Sequence, residues 1–167
     1  MNKTHNNTFD SLIDLINNIY EKLSLFSLLG LTIVVLLQIF FRNVLNYSFS
    51  WGGELAIYMN FWLVFLGAAV VFREHGHVKM DFLINKASAK LQKGVELFNY
   101  LVTLFFILFF LYSSIKLTNQ LSDVVTPAMG MPYIIFVIPP ILGFTLMLLI
   151  IIKQFIVFFT REARDNR

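Results

Sequence analysis

Four long stretches without a single charged side chain constrain this chain more than anything else in it. Leu23 to Phe41 runs nineteen residues, Leu55 to Phe72 eighteen, Leu97 to Ile115 nineteen and Val124 to Ile152 twenty-nine. At about 1.5 Å of rise per helical residue, each can cross a hydrocarbon layer of about 30 Å. Hydrocarbon offers no partner to a stray backbone amide, so such segments must close their hydrogen bonds internally, as helices do. A membrane barrel would need short alternating strands instead. The expectation is an all-α membrane protein of one domain, residues 1–167, with spans over about 23–42, 54–73, 96–117 and 132–155.

The polar residues are confined to short connectors. With 57% hydrophobic residues, nineteen Phe and a mean hydropathy of +0.72, no segment is left to build a separate water-soluble core. The net charge of +3 could suggest nucleic acid as a partner, but its distribution argues for membrane topology. Lys3 and Lys22 precede the first span; Arg73, Lys79, Lys86, Lys90 and Lys93 sit between the second and third; Lys153, Arg161, Arg164 and Arg167 follow the fourth. Only Arg42 and Lys116 fall in the other two connectors. Eleven cations against two place both termini and the middle connector in the cytoplasm. Asp10, Asp14 and Glu21 before the first apolar run do not fit a cleaved secretion signal. The absence of cysteine excludes disulfides and thiolate chemistry.

Two amphipathic patterns flank the spans. Over about residues 8–22, Phe9, Leu12, Ile13, Ile16, Ile19, Tyr20 and Leu23 recur at helical spacing, with Asp10, Asp14, Asn17, Asn18 and Glu21 elsewhere on the wheel. Such a helix lies in the membrane interface or against a partner, or else simply extends the first span. Over about 79–94, Lys79, Lys86, Lys90 and Lys93 share one face and Met80, Leu83, Ile84, Ala87 and Leu91 another. Those lysines suit anionic headgroups at about 1 kcal/mol each, or form an ordinary solvated face.

Ionisable groups at membrane depth usually have a reason to be there. Here Arg42, Glu54, Lys116 and Asp123 all fall near span ends, where a side chain can reach water. Glu54 follows Ser50-Trp51-Gly52-Gly53. It reads either as an anion at a helix start or as a partner of Arg42 or of a second membrane protein. Gln38 and Asn60 lie within apolar runs and mark inward-facing or partner-facing sides. Tyr47, Trp51, Tyr58 and Tyr133 suit an aromatic belt. Thr126 to Pro132, TPAMGMP, breaks helix and forms an apolar loop, and Pro139-Pro140 predicts a kink or a late helix start.

His75 and His77 superficially suggest a metal or haem. They sit in a turn among cations rather than on facing helices, so they read as structural, and no cofactor is expected. No phosphate loop, nucleophile triad or carboxylate pair points to an enzyme.

Arg42, then FSWGGEL at Phe49 to Leu55, then WLVFLGAAVVFREHGHVKMDFL from Trp62 to Leu83, resemble the small membrane subunit of tripartite ATP-independent periplasmic (TRAP) transporters. The shared elements are Arg42, Trp51, Glu54-Leu55, Gly67-Ala68, Arg73, His77 and Asp81, followed by the TPAMGMP loop, Pro139 and Gly143. Where many members carry two consecutive acids, this chain has Gly53 before Glu54. The resemblance implies a scaffold in the bacterial inner membrane. Its large membrane partner carries the substrate and sodium sites, and a periplasmic binding protein delivers an organic acid of the sialic acid or dicarboxylate class. Interface candidates are then Gln38, Arg42, Trp51, Glu54, Asn60, Trp62, Arg73, His77 and Asp81. Tyr47, Ser50, Thr126, Met129 and Pro132 are candidates for docking the binding protein. Two other readings remain open at this point: a haem- or quinone-binding anchor of a respiratory enzyme, and a four-helix exporter acting alone.

Overall fold

The computed structural model describes residues 7–47, 49–75 and 89–165. Four helices account for nearly all of them: α1, Asn7–Val44; α2, Ser50–His75; α3, Ala89–Gln120; and α4, Ile134–Asp165. No strand occurs among the described residues. Each helix contains a segment long and apolar enough to cross a membrane: Ser11–Val44, Ser50–Glu74, Lys93–Gln120 and Ile134–Phe158.

α1 is 38 residues long, about 57 Å at the usual rise and well beyond one hydrocarbon thickness. The amphipathic stretch expected as a separate surface helix runs into the first span without a break. Its sequence explains the continuity. No proline occurs between Asn7 and Val44, and leucine and isoleucine dominate. Part of that stretch also finds protein: Ile13, Ile16 and Tyr20 join Leu66, Ala69 and Val70 of α2 and Leu146 and Ile150 of α4 in one packed cluster, while Leu12, Ile19 and Leu23 stay exposed. Asn46 ends α1 in the left-handed conformation (φ 51°), which asparagine tolerates better than most side chains. The Phe41 carbonyl there accepts N–H groups from both Leu45 and Tyr47.

α4 is the central helix. It packs against α2 along one side and α3 along another, and touches α1 more lightly, while α1 packs chiefly on α2. Phe144 of α4 mediates both of its main contacts, stacking on Phe110 of α3 at 5.6 Å and meeting Phe65 of α2 edge-on at 5.8 Å. Close helix approach depends on Gly143: a Cβ there would lie 2.6 Å from the Phe65 carbonyl oxygen. Tyr20 adds a polar tie, its hydroxyl donating to the Leu142 carbonyl at 3.2 Å. Pro139 and Pro140 lie inside α4 early in its length, and the helix passes through both. The helix starts at Ile134, before either proline, so they do not mark its start; lying past the first turn, they leave the Ile135 and Phe136 carbonyls without their helical N–H partners.

Candidate functional site

The loop joining α3 to α4 is a small, well-bonded hairpin. Val125 pairs with Pro132 as an isolated antiparallel bridge. The Thr126 N–H donates to Met131 O at 2.8 Å, Gly130 N–H to Thr126 O at 2.9 Å, and Tyr133 N–H to Val124 O at 3.0 Å. Gly130 takes φ +65°, a conformation that glycine adopts without strain. Thr126 is almost fully buried at 2% exposure, and its hydroxyl accepts the Met131 N–H at 3.1 Å.

This fold of the loop leaves two consecutive N–H groups pointing outward, and Glu54 of α2 meets them. Oε1 accepts from Ala128 N–H at 2.9 Å and Oε2 from Met129 N–H at 2.8 Å. Successive amides converging on an anion form a small anion-binding concavity, here filled by the protein's own side chain. Both carboxylate oxygens are used, and charge-assisted bonds of this kind are stronger than neutral ones. One turn along α2, the Tyr58 hydroxyl donates to Pro132 O at 3.3 Å, and its ring stacks on Phe136 of α4 at 3.8 Å. Glu54 and Tyr58 therefore hold the loop from two consecutive turns of one helix.

Glu54 is thus neither in the first turn of α2 nor paired with Arg42. Arg42 lies exposed near the end of α1, and among the described residues it forms no ion pair. In the adjoining sequence Phe41, Tyr47, Phe49 and Trp51 form a chain of ring contacts, with Phe41–Phe49 at 4.6 Å and both Tyr47–Phe49 and Phe49–Trp51 at 5.3 Å. Tyr47, Ser50, Trp51 and Pro132 are exposed, and Met129 is half-buried. Thr126, buried, shapes the loop from within.

Gln38 and Asn60 separate into two different environments. Gln38 is half-buried, and its amide carbon lies 3.6 Å from the position a Cβ would take at Gly52. Asn60 faces outward. Trp62 packs partly buried against the α1/α2/α4 cluster.

At the opposite end of the bundle, Arg73 of α2 forms a hydrogen-bonded ion pair with Asp14 of α1. Nothing local in the sequence announces it, since 59 positions separate the two. Lys93 is exposed on α3; Lys90 lies in the first turn of that helix, its side chain outside the described set. His77, Asp81, Lys79 and Lys86 lie outside the described residues. Among the described residues, no cluster of three His, Cys, Asp or Glu side chains could hold a metal ion.

Two relatives align over part of this architecture. A TRAP transporter small permease protein of Haemophilus influenzae is 37% identical over 76 residues, 46% of this chain and 47% of the relative. The C4-dicarboxylate TRAP transporter small permease protein DctQ of Vibrio cholerae is 31% identical over 77 residues, 46% of this chain and 33% of the relative. The aligned stretch spans less than half of either relative's length. The family described as "Tripartite ATP-independent periplasmic transporters, DctQ component" matches much more of the chain, residues 31–161. That match takes in the Arg42 end of α1, the Glu54–loop contact, α3 and nearly all of α4; with its four apolar helices, this chain belongs to the DctQ component family of TRAP transporters.

Proposed function

We propose that this chain is the scaffold subunit of a TRAP secondary transporter that imports an organic acid on a sodium gradient. It assembles with a large membrane subunit and helps seat a periplasmic binding protein. The family is a transporter component rather than an enzyme family. The observation that carries the scaffold role is where the described ionic groups go. Glu54 is spent on holding the α3–α4 loop, and the Arg73–Asp14 pair lies at the other end. Secondary transporters that hold substrate themselves do so at mid-membrane with broken helices. The four helices here are each continuous. A rigid brace of this form lets a larger partner move while the interface stays fixed.

The charge distribution supports a bacterial inner-membrane location with both termini and residues 76–88 in the cytoplasm. In that orientation the Glu54-clamped loop faces the periplasm. Exposed Tyr47, Ser50 and Pro132, with half-buried Met129, then offer the binding protein a pre-ordered surface. Lys79, Lys86, Lys90 and Lys93 would meet anionic lipid on the opposite side. The Vibrio relative's name points to a C4-dicarboxylate; a sialic-type acid is the other class this reading includes.

Reconstitution into liposomes tests the proposal. The expected result is sodium-dependent uptake of labelled succinate or sialic acid only when this chain, the large subunit and the binding protein are all present. Uptake by this chain alone would overturn it.

A further inference from the structure

Between Leu55 and Phe72 the exposed residues of α2 form a single strip: Ile57, Asn60, Val64, Ala68 and Val71, with Trp51 and Glu74 exposed outside it near the two ends of the helix. From Ile57 to Val71 they recur every three or four residues and cover only about 80° of the helix at about 100° per residue. Asn60 is the residue out of place. It sits ten residues along a span of 25, about 15 Å from Ser50 and close to mid-depth.

Its amide carries two donors and an acceptor, and among the described residues none of them meets a partner in this chain. Two exposed hydroxyls at similar depth are satisfied locally. The Thr32 hydroxyl donates to Leu28 O at 2.8 Å and the Thr145 hydroxyl to Ile141 O at 2.7 Å, each within its own helix. Lipid tails offer Asn60 nothing, whereas a polar side chain on a neighbouring helix does.

The rest of the strip suits such a neighbour. It is small or β-branched on either side of Asn60, so another backbone can come close. The exposed side of α3 differs, presenting Phe105, Phe106 and Phe109, bulky rings at home against acyl chains.

We infer that the Asn60 strip of α2 is the seam on which a transmembrane helix of the large subunit packs, and that this helix presents a hydrogen-bonding side chain to the Asn60 amide. The inference rests on the assembly proposed above. The occupant follows from the chemistry: an amide at mid-depth calls for a membrane-embedded polar partner, and the family is one of multi-component transporters.

The absence of cysteine from the chain makes the test clean. Single Asn60→Cys, Val64→Cys and Phe109→Cys variants are produced with the large subunit, labelled with a thiol-linked benzophenone and irradiated in the assembled complex. Positions 60 and 64 should give an adduct with the large subunit, and position 109 should not. An adduct of two copies of this chain from position 60, or a large-subunit adduct from 109 alone, overturns the seam. So does a lack of protein adducts from 60 and 64 while the large subunit still co-purifies. Failure of the unmodified chain to co-purify with the large subunit overturns the assembly reading, and this one with it. In parallel, Asn60→Leu should lower recovery of the large subunit about three- to tenfold while Asn60→Gln largely preserves it, with the thermal unfolding of the isolated chain unmoved in both. Equal recovery with Asn60→Leu overturns the hydrogen bond.

Discussion

Glu54 on α2 and Met129 in the α3–α4 loop are joined by a 2.8 Å hydrogen bond across 75 positions of sequence. With the Ala128 N–H on the other carboxylate oxygen, this contact ties α2 to a hairpin that also carries backbone bonds of its own. A helix thereby dictates the shape of a distant loop, and the loop in turn presents Met129 and Pro132 at one end of the bundle.

Removing the carboxylate should loosen the loop and little else. In Glu54→Ala the Ala128 and Met129 amides should exchange with solvent roughly tenfold faster or more, while amides within α2 and α4 keep their protection. Glu54→Gln should be only partly tolerated, because its amide nitrogen brings a donor to a site built from donors. Hydrogen exchange resolved to residues 124–133 makes the comparison. Unchanged exchange in Glu54→Ala would show that the hairpin's own bonds suffice.

A related experiment separates the observed contact from the pairing that proximity in sequence suggests. Reversing both charges, Arg42→Glu with Glu54→Arg, should recover no more folded protein or assembled transporter than Glu54→Arg alone. The reversed side chain would meet backbone N–H groups that cannot accept, and nothing at position 42 alters that. Recovery in the double variant would instead place the two side chains together in the assembled complex.

The Asp14–Arg73 pair closes the opposite end of the α1/α2 contact, and its side chains are 55% and 31% exposed. Exposed pairs of this kind couple by about 0.2–1 kcal/mol and are screened by salt. A cycle of Asp14→Asn, Arg73→Gln and the double variant, followed by thermal unfolding in detergent, should give a coupling in that range that shrinks in high salt. A coupling indifferent to salt would mean that the pair is shielded from solvent.

The helices were legible in the sequence because a membrane span must be long, apolar and continuous, and those properties are local. The positions of ionic groups at span ends could be read for the same reason. Their partners could not. Glu54 finds Ala128 and Met129, and Arg73 finds Asp14, through helix packing that brings together residues 59 to 75 positions apart. The choice between inward-facing and partner-facing sides likewise depended on which face of α1 meets α2 for Gln38, and on which face of α2 is left uncovered for Asn60. Residues 8–22 show the same limit. Their amphipathic pattern fits a lipid surface or a protein groove equally well, and Leu66, Ala69, Leu146 and Ile150 supply the groove.

Packing at the centre of the bundle should discriminate sharply between two glycines. At Gly143 an added Cβ would lie 2.6 Å from the Phe65 carbonyl oxygen and 3.2 Å from its carbon, both backbone atoms that cannot move without shifting α2. At Gly30 the obstruction is the sulfur and terminal methyl of Met59, at 2.7 and 2.8 Å, the far end of a flexible side chain that can swing away. Gly143→Ala should therefore cost about 1–3 kcal/mol as overpacking, whereas Gly30→Ala should be close to neutral, helped by the better helix propensity of alanine. Thermal unfolding of both variants in the same detergent gives the comparison. Because Gly143 lets α2 and α4 approach closely, its variant should also disturb the neighbouring Phe65–Phe144 contact, whereas the Gly30 variant should leave it intact. Equal losses at the two sites would mean that α2 can shift away from α4 as easily as Met59 can change rotamer.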